Sequence, residues 1–599
     1  MAIGPILPYL IKPLYYYLAI QVYLEGYLNI PPEKLNTFKG TVRLLFQPQT
    51  DTHVFYLNYD MMEIQNSKLY TPDNVTIPVT MKEIPEDQVL EFRTDTPLMK
   101  NKFYLIELNY KGKMRMDGSE GLFVGKHGAQ SYASTKFEPH YARRMVPCID
   151  QPDAKAIWKI TVIHPKQTRA ISNSERVKLI ERKGWALTKF ADTPKLSPYL
   201  LAIFVSNFKH FSGATKSGIK VRLFAPNFTI PRYKAIFEHS IRSLDFYTKY
   251  FDTPPMLEKL AGMENHGLIS LNARTMDTDN KLTTVSHEIS HHWIGNQATP
   301  KWWDDIWISE GLATFLSEHL PHLDKVFQLY QSMRTLLEYE RALDANQGIL
   351  LPLRTEIGWE ELKRGRHAVL NYNVYNRGAM FMAMLHATMG TDSFRKATQL
   401  IVKNYINGTI TTKDFYNVYG YYANATDSPR DFERFCKSWV EQAGHPLVNV
   451  RTVVGGVELS QERDFNSERI HPKYRAEAPF NYKYDIPIFY TTNTNEGNLV
   501  WLNLDDPTLF IPVGEDDIIS VDPFGEGLYK VHYDRAWYEK WAKMCPEKKC
   551  QQDLFFKPCE EFLRVQMSYP LELRQKVIQT CGGLDHGFNS RHPHALRIA

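Results

Sequence analysis

His287-Glu288-Ile289-Ser290-His291, with Glu310 further along, has the residue types and spacing of a hydrolytic metal site. On a helix, residues four apart share a face, so the two imidazoles can hold one ion. Glu288 stands one step round from that face and can reach a water on the ion without binding the ion itself. Glu310 comes late enough for one helix to end and a second to present a carboxylate. Two imidazoles and one carboxylate leave the fourth zinc position open to water, the catalytic pattern rather than the closed structural one. By chance H-E-x-x-H arises in roughly one chain of this length in twenty-five. A Glu at a fixed offset thins that about fifteenfold, so a metal site outweighs a surface helix that happens to carry two His and a Glu.

The elements around this motif change character along the chain. Up to about residue 225, alternating apolar and polar runs such as Thr41-Val42-Arg43-Leu44-Leu45-Phe46 and Trp158-Lys159-Ile160-Thr161-Val162 recur between turn residues. They predict a large antiparallel β domain. From about 228 to 445 the period becomes helical, over 232–251, 282–295, 309–319, 326–347, 375–388 and 432–443. The metal motif falls in this part. Strand patterns return from 446 to about 534, a length that fits a small β-sandwich. The expected organisation is therefore a multidomain α+β chain: an N-terminal β domain at 12–227, a mainly helical domain at 228–445, a β-sandwich at 446–534 and a short, partly helical tail at 535–599.

The chain has 599 residues, 43% of them hydrophobic, which is enough for several cores. A net charge of +4 is too small on this length to indicate nucleic acid or an anionic membrane. Residues 6–24 are apolar, but Pro8, Lys12, Pro13 and Gln21 interrupt them, so no membrane span of about twenty residues is expected there. No basic segment and small-residue cleavage site marks a signal peptide. From Tyr15 the run reads as a first strand. Of six Cys, Cys148 and Cys436 stand alone and are expected to be buried. Cys545, Cys550, Cys559 and Cys581 crowd the tail, where two disulfides and hence an oxidising compartment are the expectation. The sequons at Asn74, Asn227, Asn407 and Asn424 are about as many as chance gives and add little.

Further segments carry a family resemblance. Ala261-Gly262-Met263-Glu264-Asn265 precedes the metal motif, Trp302-Trp303-Asp304-Asp305-Ile306-Trp307-Ile308-Ser309-Glu310-Gly311 surrounds the third ligand, and Tyr375-Asn376-Arg377-Gly378-Ala379 follows. With Ala142-Arg143-Arg144-x-x-Pro147-Cys148-x-Asp150-x-Pro152 and the closing Gly527-Leu528-Tyr529-Lys530-Val531-His532-Tyr533-Asp534, these resemble the aminopeptidase N-like gluzincin family of zinc aminopeptidases, from about residue 12 to 534. The resemblance implies an N-terminal β saddle, a thermolysin-like catalytic domain, the small sandwich and a large helical C-terminal domain. Most of that last domain has no counterpart here, which predicts a more open site or an incomplete product.

The resemblance also implies roles. One zinc ion would be held by His287, His291 and Glu310, with Glu288 as general base. Tyr375 matches the oxyanion donor. Glu264 matches the anchor for the substrate's α-ammonium, and Glu138 the second anchor. Ala261, Gly262, Met263 and Asn265 would line the substrate pocket with Lys136. Asp305 would either orient a ligand His or make a structural contact. His292, where the family usually carries Gln, faces another side of the helix and is not expected to ligate. Lys136 stands where the family usually has Gln, near the first side-chain pocket: it would repel the substrate ammonium, pair with Glu138 or Glu264, or favour an acidic first side chain. Ala261 and Gly262 depart from the family's Gly and Ala in a strand that contacts substrate.

The implied activity is zinc-dependent removal of the N-terminal residue from peptides with free N-termini. Two alternatives remain open: a zinc-binding family member that binds peptides with impaired turnover, or an endopeptidase with an open cleft. The tail Cys and the family point to an extracellular or cell-surface site, the lack of a visible export signal leaves the cytoplasm open, and no oligomeric state follows from the sequence.

Overall fold

The computed structural model describes residues 4–117, 120–128, 130–226, 231–255, 259–260, 267–269, 271, 281–318, 350–423, 431–464, 470–475, 478–495, 497–523 and 525–544. The expected helix at 326–347, the segment 261–266 and the four tail Cys lie outside these residues. The chain divides into two compact units.

The first unit comprises residues 1–309, 356–371 and 398–412. Its largest sheet has nine strands. The middle of the sheet runs Ala156–Pro165, Ile11–Val22, Thr37–Pro48, Tyr104–Lys113. Alternation explains these strands: Tyr16, Leu18, Ile20 and Val22 point into the core from one, Phe38, Val42, Leu44 and Phe46 from the next. The sheet is not wholly antiparallel as expected. Ile11–Val22 pairs parallel with Ala156–Pro165, which the long stretch of chain between them permits and a short hairpin turn would not. Tyr16 stacks on Trp158 at 4.0 Å between ring centroids, and its hydroxyl accepts the Ile149 N–H at 3.1 Å.

That contact leads to the Arg143–Asp150 segment. Both side chains are buried, and Arg143 Nε donates to Asp150 Oδ2 at 2.9 Å. Arg143 also reaches Gln88 Oε1 and the Asp150 carbonyl. A buried ion pair with its remaining donors satisfied fixes the backbone around it. The chain just before it carries Lys136, at the end of strand Gln130–Lys136 in a separate four-stranded sheet, and Glu138.

The second unit comprises residues 310–355, 372–397 and 413–599. The helix Gly378–Met389 is almost wholly buried, as its apolar sequence Gly-Ala-Met-Phe-Met-Ala-Met-Leu requires. Gly311 meets it backbone to backbone: a Cβ added there would lie 2.9 Å from the carbonyl carbon of Gly378. Arg377, fully buried, donates to the carbonyls of Leu351, Trp439, Gln442 and Gly444 at 2.9–3.0 Å. After the helix Phe432–Val440 come a four-stranded sheet, built on Pro446–Val453 and Gly456–Arg463, and a three-stranded one centred on Ile486–Thr492. Cys148 and Cys436 are buried free thiols, as expected. Among the described residues no helix is long and apolar enough to cross a membrane.

Candidate metal centre and active site

The helix Lys281–Ser290 carries His287 and Glu288. Its inward side is Val285, Ser286 and Ile289. Ser286, directly before the first His, sets the helix rotation. Its hydroxyl lies 2.7 Å from His239 Nε2 and 3.2 Å from Ser243 Oγ, both on the helix Pro231–Phe251, and reaches the Leu282 carbonyl. The sequence pattern continues this helix to 295, but it ends at Ser290. The reason is Gly295, whose φ of +121° turns the chain back so that its N–H bonds the Ala298 carbonyl. His291 therefore stands in the turn, still one helical step above His287, with its N–H 3.3 Å from the His287 carbonyl.

The turn aims the second imidazole. His291 Nδ1 lies 3.0 Å from the Ile294 carbonyl, a bond that needs the proton on Nδ1 and leaves Nε2 as the metal-facing acceptor. His291 Nε2 lies 3.0 Å from His287 Nε2. Two nitrogens on one tetrahedral zinc stand about 3.3 Å apart, so the pair is spaced for a shared ion. Six contacts brace the turn. Tyr199 donates its hydroxyl to the Gly295 carbonyl at 3.1 Å, and Thr299 reaches the same oxygen. Lys155, buried, donates from Nζ to the carbonyls of Asn296 at 3.2 Å and Gln297 at 3.1 Å. Burial pushes the Lys155 ammonium down to about 7. The Trp293 indole N–H donates to the Thr253 carbonyl, and its ring stacks on Phe251.

The third candidate donor, Glu310, comes from the helix Ile306–Glu318. The approach to it is pinned through Asp305, whose Oδ1 accepts from the Thr412 N–H and hydroxyl, and through Trp307, whose indole N–H also meets the Thr412 hydroxyl. Asp305 thus makes a structural contact, one of the two options the sequence left open. Glu310 is buried. One donor atom from each of His287, His291 and Glu310 lies within 4.8 Å of the others, the one such group among the described residues. Two nitrogens and a carboxylate oxygen suit zinc with a position left open. His292, which the sequence did not expect to ligate, accepts the Gly267 N–H on its Nε2 at 3.3 Å, and burial pushes its pKa down to about 4.

Lys136, Glu138 and Arg366 also belong to the first unit. Glu138 is buried, and its Oε2 lies 3.5 Å from Arg366 Nη2, on a short helix Arg366–Val369. Lys136 is half-buried and feels the charges of Arg366, Glu138, Glu120 and Glu288. Tyr375 lies in a π-helical turn, Asn373–Arg377, whose Asn373 side chain donates to the Pro352 carbonyl at 2.7 Å. Such turns recur at functional sites. Glu264, Ala261, Gly262, Met263 and Asn265 lie outside the described residues. Sequence reasoning missed Lys155 and Arg366. The first hides in an ordinary strand-entry sequence, and the second, beside Lys363 and Arg364, looks like part of a solvated basic run.

Comparison with known proteins agrees with this geometry. Residues 12–200 match the Peptidase M1 N-terminal domain and residues 236–439 the Peptidase family M1 domain. The chain belongs to the M1 peptidase family. It is 28% identical over 586 residues to an aminopeptidase N of Haemonchus contortus, covering 90% of this chain and 59% of that protein. It is 28% identical over 461 residues to a probable aminopeptidase 1 of Saccharolobus solfataricus, covering 72% and 55%, and 26% identical over 573 residues to an aminopeptidase N of Canis lupus familiaris, covering 87% and 57%. The chain thus spans somewhat more than half the length of these relatives.

Proposed function

We propose that this chain is a zinc aminopeptidase that hydrolyses the N-terminal peptide bond of peptides. The observation that carries the reading is the His287–His291–Glu310 donor group in a chain of the M1 family. Zinc bound there would lower the pKa of a coordinated water towards neutrality and polarise the scissile carbonyl. Glu288, directly after the first ligand, takes the attacking water's proton and returns it to the leaving amine. Tyr375 donates a hydrogen bond to the oxygen that gains charge in the transition state. Glu264, with Glu138, holds the substrate's α-ammonium and so sets the cut one residue from the end. Lys136, Ala261, Gly262, Met263 and Asn265 line the pocket around that first residue. The same reading gives the chain a β saddle at 12–227, a thermolysin-like catalytic domain at 228–445, a β-sandwich at 446–534 and a Cys-bearing tail at 535–599, acting outside the cell or at its surface.

One contact favours a second reading. Arg366 already engages Glu138, which weakens that carboxylate as an amine anchor and suits a protein that binds peptides with little turnover. Release of the first residue from aminoacyl amides, with free and with acetylated N-termini, separates the two readings when run beside Glu288→Gln. Turnover of free-amine substrates alone, reduced about a thousandfold or more in the variant at unchanged zinc content, is the expected outcome. Cleavage of the acetylated series would mean an endopeptidase. Zinc-loaded, folded protein with no turnover above the variant would leave the binding reading.

A further inference from the structure

Lys136 carries a half-buried ammonium with no hydrogen bond or ion pair among the described residues. Two of the three carboxylates whose charge reaches it are held by an arginine. Glu138 bonds Arg366 at 3.5 Å. Glu120 bonds Arg144 at 3.0 Å, which also holds Asp60 at 2.9 Å. Glu288 adjoins the metal ligand His287. A partly desolvated cation without an anion is costly, and an incoming carboxylate that pairs with it recovers that cost as affinity. Arg366, paired with Glu138, adds a second cation with a forked donor geometry suited to carboxylates.

We propose that Lys136 and Arg366 form a cationic subsite that takes the acidic side chain of a substrate's first residue, glutamate or aspartate. The assignment rests on the aminopeptidase reading. Two placements point to the first residue rather than a later one. Glu288, which that reading puts beside the scissile bond, is among the charges that act on Lys136. Glu138, two positions along the chain from Lys136, is one of the carboxylates that the same reading gives to the α-ammonium. An α-ammonium alone would be repelled by Lys136, whereas a residue that brings both an ammonium and a side-chain carboxylate matches the Glu138 and Lys136 pair charge for charge.

The test compares kcat/KM for Glu, Asp, Leu, Ala and Arg aminoacyl amides, together with calorimetric binding of L-glutamate and L-leucine. It uses zinc-loaded wild type, Lys136→Gln, Lys136→Glu and Arg366→Gln. Wild type should favour Glu over Leu by about tenfold or more, the scale of one charged hydrogen bond. Lys136→Gln should erase most of that ratio, and Lys136→Glu should turn the preference towards Arg. Arg366→Gln, on a different element, should lower the same ratio and keeps the test alive if a Lys136 variant does not fold. Turnover with a Glu-to-Leu ratio that neither neutralisation changes would overturn the subsite and leave the aminopeptidase standing. With no turnover of any amide, tighter binding of L-glutamate than L-leucine that depends on Lys136 would uphold the subsite and remove the enzymatic reading. Equal binding of the two would remove both.

Discussion

Lys155 does no chemistry, yet it holds two carbonyls of the turn that aims His291. It is also a buried amine with a predictable titration. Its pKa falls from the ordinary 10.5 to about 7 through desolvation, so between those values the unfolded chain binds the proton that the folded one has released. Stability from this group therefore rises with pH: the burial cost is in full force below pH 7 and is relieved as pH climbs towards 10.5. Lys155→Met removes the titration. Denaturant unfolding from pH 6 to pH 9 should show wild type gaining on the variant by about 1.4 kcal/mol per pH unit once above pH 7. A difference that stays flat with pH would mean that Lys155 titrates normally. At this scale the metal-site residues were legible because their types and spacing are the chemistry itself. Lys155 and Arg366 were not, since what distinguishes them is burial and a partner distant in sequence: Asn296 and Gln297 for one, Glu138 for the other.

Among the elements, the decisive one is the turn after the helix Lys281–Ser290. The helical period read from the sequence ran on to 295, because apolar periodicity does not register a glycine that reverses the chain. A methyl at Gly295 would sit 3.0 Å from His291 Nδ1 and strain a φ of +121°. Gly295→Ala should therefore weaken zinc binding about tenfold or more, measured by chelator competition, because it displaces the ring and its bond to Ile294. Unchanged affinity would show that the turn tolerates the methyl without moving the imidazole. Gly311 makes a second test. Its methyl would meet backbone, which cannot swing aside, so Gly311→Ala should cost about 1–3 kcal/mol in denaturant unfolding. The strands were more legible than the turn: Ala156–Pro165 contains the run read at 158–162, and Ile11–Val22 contains the run that began at Tyr15.

For the whole molecule, a donor group drawn from two separate helical segments means that an ion bound there stabilises the folded chain and not the unfolded one. Stripping zinc with a chelator should lower the melting temperature by several degrees, and returning it should restore the value in proportion to the logarithm of free zinc. A melting temperature indifferent to zinc would argue that His287, His291 and Glu310 hold no ion. The parallel partnership of Ile11–Val22 with Ala156–Pro165 was beyond sequence reading for a reason of the same scale. Alternation shows which face of a strand is buried but not which distant strand lies beside it.

Arg377 binds the carbonyls of residues 62, 65 and 67 positions further along the chain, and it closes the turn that holds Tyr375. During synthesis that turn is made well before three of its four carbonyl acceptors exist; only Leu351 precedes it. At roughly 5–20 residues per second the guanidinium waits about 3–13 s for them. A nascent chain thus carries the metal-binding motif for seconds before three of the carbonyls that hold the Tyr375 turn have been made.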